Sequence, residues 1–398
     1  MMATITGQMD DRWALDPELV FLNHGSFGAC PRVVLAEQDR IRLRMERQPV
    51  QFFVRDLEGL LDAARAELAA FLDAPSTDIA WVPNATSGVN AVLRSLSLAP
   101  GDELLTTDHE YNACRNALEY VAGRAGARVV VAQLPFPLAD ADQAVDAILE
   151  RASARTRLAL IDHVTSQTGL VLPIGRIVAA LAAQGIDTLV DGAHAPGMLE
   201  LKLADIDAAY YTGNCHKWLC APKGAGFLYV RPDRQAEIRP VAISHGANSP
   251  RQDRSRFLQE FDWVGTDDPS PMLCVPAALR FMGSLLPGGW PALRAHNRAL
   301  ILDGRRELAA ALGLDLPSPD TMIGSLAALP LPDGSMEPPK SAMYADPLQD
   351  ELRRRWRIEV PVIPWPKVPH RLIRISAQIY NHPAQYRLLA DALRDLFA

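Results

Sequence analysis

The sequence predicts an α/β protein: a large domain on a mostly parallel seven-stranded sheet, followed by a smaller α+β domain. Its 398 residues exceed what one ordinary core organises. Between residues 78 and 230, seven short runs are apolar almost throughout, the pattern of strands covered on both faces. Beyond that region, proline-rich punctuation breaks the chain into pieces of mixed helical and strand pattern.

Residues 54–73, VRDLEGLLDAARAELAAFLD, place apolar side chains at helical spacing. The strand candidates then follow as DIAWVP, DELLTT, ARVVVAQL, RLALIDHV, DTLVDGA, AAYYTGN and GAGFLYV. NACRNALEYVAGRA and PIGRIVAALAAQG read as helices between them, and strands alternating with helices favour parallel order. GAGFLYV follows its neighbour closely, which allows it to run antiparallel. The proline punctuation falls at DDPSPM, LPSPD and LPLPDGSMEPPKS. WPALRAHNRALILDGRRELAAALG reads as a long helix, at about 288–312, that links two bodies, and PAQYRLLADALRDLFA closes the chain as an amphipathic helix. The expected division is an N-terminal segment 1–20, a large domain 21–270 and a small C-terminal domain 271–398, with the N-terminal segment packed on one of them.

Composition narrows the function. Apolar residues make up 48% and charged residues 22%, which is ordinary globular usage. A net charge of −7 argues against nucleic acid as a partner, which calls for a basic face. Cys30, Cys114, Cys215, Cys220 and Cys274 are scattered and odd in number, without the paired spacing of a zinc site. They read as reduced thiols in a cytoplasmic protein. The start, MMATITGQMDDRW, has neither the basic residues nor the apolar run of a secretion signal. No stretch of about 20 uninterrupted apolar residues is present, so no membrane span is expected.

Five short segments carry chemistry. In TGNCHKWL, Lys217 lies between two apolar runs. A lysine at a buried strand end is costly unless paired or deprotonated, and a desolvated amine is a ready nucleophile toward an aldehyde. A surface-turn lysine is the alternative. In LVDGAHAPG, Asp191 ends an apolar strand, where α/β sheets bind ligands. Pyridoxal 5′-phosphate (PLP) requires such a carboxylate against its pyridine nitrogen, and a helix-capping aspartate is the other reading. His194 in the same turn either touches the cofactor's phenolic oxygen or packs locally. In VPNATSGVNAVL, Ala85, Thr86 and Ser87 open a helix whose N–H groups and hydroxyls suit a phosphate, or simply cap it. Tyr111 of TTDHEYNAC follows a strand end and either stacks on a ring or packs. Arg374 of LIRISAQIYN sits in an apolar alternation, and its fork suits an α-carboxylate or a structural salt bridge.

Together these motifs resemble the class V aminotransferase family of fold-type I PLP enzymes, and within it the isopenicillin N epimerase-like branch. The resemblance is carried by FLNHGSFGACP (21–31), NATSGVNAVL (84–93), DGAHAPG (191–197), TGNCHKWLCAPKGAGFLYV (212–230), WVGTDDPS (263–270) and RISAQIYN (374–381), so it spans nearly the whole chain. It implies a Schiff base between PLP and Lys217, which then shuttles the substrate α-proton. Asp191 would pair with the ring nitrogen, and Tyr111 would stack on the ring. His194, with Ser166 or Gln167, would reach the phenolic oxygen. Ala85, Thr86, Ser87, Asn214 and His216 would hold the phosphate. Thr266 would reach the phosphate of a neighbouring subunit, implying a homodimer with shared sites. Arg374 would bind the substrate α-carboxylate, while Asn23 and His24 would line the entrance. Desulfurase relatives need a nucleophilic cysteine in the C-terminal region, and this chain has none after Cys274.

The protein chooses which α-carbon bond PLP breaks. Epimerisation needs a second acid besides Lys217, for which Tyr111, His24 and His245 are the candidates. β-Elimination needs only Lys217 and a leaving group, and transamination needs proton return to the cofactor. The resemblance puts epimerisation first, ahead of lyase and aminotransferase chemistry. A non-catalytic PLP binder would have no need of Lys217, Asp191 and Arg374 together. Arg251, Arg254 and Arg256, in the loop 245–259, either recognise a distal carboxylate or form a solvated basic loop.

Overall fold

The computed structural model describes residues 11–337 and 346–397. The first ten residues of the N-terminal segment and the end of the LPLPDGSMEPPKS stretch lie outside the described residues. Among the described residues twelve strands are formed: β1 (Val20–Phe21), β2 (Ile79–Val82), β3 (Glu103–Thr107), β4 (Arg128–Ala132), β5 (Thr156–Asp162), β6 (Asp187–Asp191), β7 (Tyr210–Asn214), β8 (Gly226–Val230), β9 (Leu326–Leu331), β10 (Ile358–Glu359), β11 (Val362–Pro364) and β12 (Arg371–Ser376).

The seven apolar runs form one sheet in the order β2-β8-β7-β6-β5-β3-β4. Neighbours from β7 to β4 are parallel, and β8 runs antiparallel to both β7 and β2. The short connection from β7 allows that reversal, since parallel strands need a long crossover. Strands β2, β3, β7 and β8 are buried along their whole length, whereas β4 at the sheet edge is part-exposed. Helices Leu57–Leu72, Ile174–Ala182 and Val275–Gly283 contribute to the core on one side, and Ala85–Ser95 and Asn112–Ala125 to a second core.

A third core surrounds the antiparallel sheet β11-β12-β9 and the helices Gly289–Leu312 and Pro383–Phe397. Val20 and Leu22 belong to this core, and β1 pairs in parallel with β10. The chain therefore ties its start to the C-terminal layer before it enters the large sheet. Among the described residues, no helix is long and apolar enough to cross a membrane.

This topology collects chemistry at one edge. Thr107, Asp162, Asp191 and Asn214 are the last residues of parallel strands, and Asp162, Asp191 and Thr212 are adjacent in register. Ligands of open α/β sheets bind at that edge. Two glycines clamp the loop between β7 and β8 there. Gly28, at φ 70°, lies so close that a Cβ would be 2.2 Å from the His216 carbonyl oxygen. Gly197, at φ 87°, would put one 2.6 Å from the Trp218 backbone. Both need a left-handed conformation and a missing side chain at once.

Candidate active site

Lys217 stands on the loop that reverses the chain from β7 into β8. Its Nζ lies 3.0 Å from His194 Nε2. Desolvation, reinforced by the Arg374 charge, lowers its pKa to about 8. On the far side of the imidazole, the Trp218 indole donates to His194 Nδ1 at 3.4 Å. An indole can only donate, so Nδ1 is an acceptor and the neutral ring carries its proton on Nε2. Burial, then the Lys217 charge, holds His194 neutral. The network thus presents an N–H toward Lys217 and pairs with the free amine. Trp218→Phe keeps an aromatic ring and removes that donor, leaving a small cavity where the second ring of the indole was. We expect loss of about 0.5–1.5 kcal/mol of orienting hydrogen bond and a mixture of His194 tautomers, read by imidazole nitrogen NMR.

His24 does not line the entrance. It is fully buried, with Nδ1 2.7 Å from the Tyr380 hydroxyl and Nε2 3.1 Å from the Lys217 carbonyl. Burial lowers its pKa to about 3, and both nitrogens are engaged, so it anchors the lysine loop rather than serving as a second acid. His245 is likewise no candidate neighbour of Lys217. It is exposed in a shallow depression lined by Phe53, Glu58, Arg251 and Arg254.

Asp191 is buried at the end of β6. Its Oδ1 accepts from the Ala193 amide at 2.9 Å, and its Oδ2 from the Cys114 thiol at 3.2 Å. Burial raises its pKa, while those donors and Lys217 favour the anion. Such a carboxylate matches a protonated pyridine nitrogen. Tyr111 caps the helix Asn112–Ala125 and remains about 41% exposed, in the fields of both Asp191 and Arg374.

The helix Ala85–Ser95 begins beside β7. Asn214 Oδ1 takes the Ala85 amide at 2.9 Å, and Asn84 Oδ1 takes the Ser87 amide at 2.9 Å. Asn84 is a cap that the sequence reading passed over, although an asparagine directly before a helix signals one. The Thr86 amide and hydroxyl stay available to an anion at this helix start. His216 Nδ1 lies 3.0 Å from the Ala225 carbonyl, which fixes that proton and leaves Nε2 an acceptor in the neutral ring. Its pKa is lowered to about 4, mainly by burial, so His216 offers a phosphate an acceptor when neutral and a donor only when protonated. Thr266 is exposed, and no contact joins it to the Lys217 cluster.

Arg374 projects from β12 across the same edge. It is buried, and among the described residues it has no carboxylate partner. One terminal nitrogen donates to the Ser166 carbonyl, and the other donates to Ser26 Oγ at 2.9 Å. Its Nε is buried without an acceptor. Ser26 in turn donates to Asn23 Oδ1 at 2.6 Å, so Asn23 acts through Ser26, which the sequence reading missed. Ser166 is occupied by Arg374, while Gln167 Oε1 is buried without a donor. The arginines of the 245–259 loop have local partners: Arg251 pairs with Glu58 and Asp253, Arg254 with Asp62 and Asp262, and Arg256 with Glu260.

Comparison with known proteins decides the family. The profile for aminotransferase class-V matches residues 30–316. The chain belongs to the class-V aminotransferase family. An isopenicillin N epimerase of Amycolatopsis lactamdurans is 37% identical over 100% of both chains. A probable chloroplastic L-cysteine desulfhydrase of Arabidopsis thaliana is 32% identical, over 96% of this chain and 83% of that one. The cystine C–S lyase C-DES, solved with its product cysteine persulfide, shares the fold at a TM-score of 0.77 and 23% identity, covering 95% of this chain and 97% of the other.

As a class-V aminotransferase the protein uses PLP, and its residues fit that cofactor. The fit rests on a buried carboxylate at Asp191, a half-buried amine at Lys217, an anion-ready helix start at Thr86, and the orphaned Gln167 and Arg374 atoms between them. All five cysteines are buried free thiols, and burial raises the pKa of Cys30 and Cys274 to about 12. None of them is an exposed thiolate of the kind a persulfide-forming desulfurase requires.

Proposed function

We propose that this PLP enzyme epimerises an amino acid, or an amino-acid-containing metabolite, at its α-carbon. The observation that carries the proposal is the 37% identity to an isopenicillin N epimerase over both full lengths, joined to a Lys217 amine that lies in the field of the buried Arg374. When bound to Lys217, PLP supplies an electron sink for the bond broken at the α-carbon. Arg374 orients the substrate carboxylate with its fork. The free Lys217 amine takes the α-proton, and His194 keeps the amine neutral for that task. Tyr111 returns a proton from the other side. Burial and the neighbouring Cys114 and Asp191 raise its phenol pKa against the Arg374 charge, so it carries a proton to return. Asp191 holds the ring nitrogen, Thr86 and its neighbours hold the phosphate, and Gln167 reaches the phenolic oxygen.

We further propose a homodimer in which Thr266 completes the partner's phosphate site. The exposed Val241 and Val264 line one depression with Phe53 and Trp263, and a contiguous apolar patch of this kind supports a protein interface. The cytoplasm as location and the division near residue 270 belong to the same reading.

β-Elimination is the second reading, favoured by the desulfhydrase relatives. Turnover in deuterated water separates the two. α-Deuterium with inverted configuration supports epimerisation, and Tyr111→Phe should then keep α-proton exchange but lose inversion. Pyruvate with a released thiol would instead establish the lyase. Cofactor capture has its own signature. Only the neutral amine attacks the aldehyde, so PLP uptake should accelerate as pH rises and level off above about 8, the depressed pKa of Lys217. Stopped-flow absorbance reads this, and a midpoint near the ordinary lysine value would contradict the burial argument.

A further inference from the structure

Behind Asp191 lies a group of acids that the mechanism does not use. Glu110, just after β3, is 5% exposed, and Asp162, the last residue of β5, is 2% exposed. Asp162 is the register neighbour of Asp191. Acceptor atoms of Glu110, Cys114 and Asp191 all lie within 4.8 Å of one another. Among the described residues no salt bridge reaches any of the three carboxyls. Their surroundings are Cys114, Tyr111 and Tyr211, with Lys217 as the facing cation.

Donors are unevenly shared. Asp191 receives the Ala193 amide and the Cys114 thiol. Glu110 receives the Thr106 hydroxyl at 3.2 Å, yet its Oε1 has no donor. Asp162 Oδ2 is buried without a donor too. Glu110 and Asp162 lie within electrostatic reach of each other, and one proton carried by either carboxyl and directed at the other would give both orphaned oxygens a partner. Three adjacent anions with one cation are not sustained in a buried site. One charge therefore settles on Asp191, which has the donors, and the other two divide one proton and one charge between them.

We propose that Glu110 and Asp162 share one proton behind Asp191 and act as positioning residues, sparing Asp191 the repulsion of a second neighbouring anion and keeping it ionised toward the cofactor's ring nitrogen. The shared proton is independent of the function proposed above, and its effect on the ring nitrogen rests on that function. Burial, with the Asp191 charge acting on both, pushes the two carboxyls well above the ordinary carboxylate range, in keeping with a pair that stays singly protonated at neutral pH.

Infrared spectroscopy of the holoenzyme tests this. We expect a protonated-carboxyl C=O stretch that shifts in deuterated water and disappears in Glu110→Gln and in Asp162→Asn. In each single variant the amide donates to the remaining acid and fixes it as an anion, so the pair's one negative charge is kept. The absorbance titration of the Lys217-bound cofactor should then hold its wild-type midpoint in both. The double variant, which removes that charge, should lower the midpoint by about one pH unit. A wild-type spectrum without the band overturns the proposal even if no variant folds. Retention of the band in both single variants overturns it as well, as does a double variant whose midpoint stays at the wild-type value. Absence of any borohydride adduct at Lys217 would instead sink the proposed function and leave the infrared result standing.

Discussion

Lys217→Ala should give a folded protein that holds PLP without a covalent bond, takes up no borohydride-stable mass on the peptide spanning position 217, and turns over slowly. The loss follows from two roles ending at once. The amine is the covalent anchor, and it is the base within reach of the substrate α-carbon. Removal of a positioned acid–base group alone costs about 10²–10⁴-fold in rate, and loss of the anchor adds to that. Folding should survive. The Lys217 amine has a lowered pKa because burial disfavours its charge, so its removal relieves a desolvation cost. The residue left most affected is His194, whose Nε2 loses its 3.0 Å partner. A small primary amine added to the variant should recover part of the turnover. Wild-type rates in the variant would show that another group moves the α-proton.

How far the sequence reveals this site depends on whether a residue's role is local. The seven strands were legible because burial on both faces leaves unbroken apolar runs, and the reversed β8 because a short connection excludes a crossover. Asp191 and Lys217 could be read as strand-end residues, the one position in such a sheet where polar chemistry is expected. Burial of polar side chains was not legible. His24 sits among polar neighbours in FLNHGSFG and looks like an entrance residue, but tertiary packing against Trp218 and Tyr380 encloses it. The same holds for His216, whose Nδ1 proton is spent on a backbone carbonyl. Glu110 and Asp162 each look like solitary acids in sequence. Only the parallel register of β5 with β6 brings Asp162 beside Asp191. Ser26 gains meaning when β12 carries Arg374 to it from 348 residues away.

Arg374→Met should separate binding from stability. A buried guanidinium held by Ser26 and Ser166, with no acid beside it, is poised for a carboxylate from outside. Losing one side of a buried, hydrogen-bonded charge pair costs about 2–5 kcal/mol, so kcat/KM for an amino-acid substrate should fall by roughly 30-fold to several thousand-fold. The folded protein has less at stake. Burial already lowers the Arg374 pKa to about 10, and the variant no longer buries an unpaired charge. Against that gain stands the Ser166 carbonyl, left without its donor at about 1–3 kcal/mol. The two nearly offset, so the melting temperature should change little beside the kinetic loss. A carboxylate-bearing substrate analogue should stabilise the wild type against heat and leave the variant unmoved, because only binding to the native state shifts unfolding. Arg374→Lys should recover only part of the activity, since an ammonium cannot span both carboxylate oxygens as the fork does. Undiminished kcat/KM in Arg374→Met would mean that another group holds the α-carboxylate, and the buried charge would then lack a function.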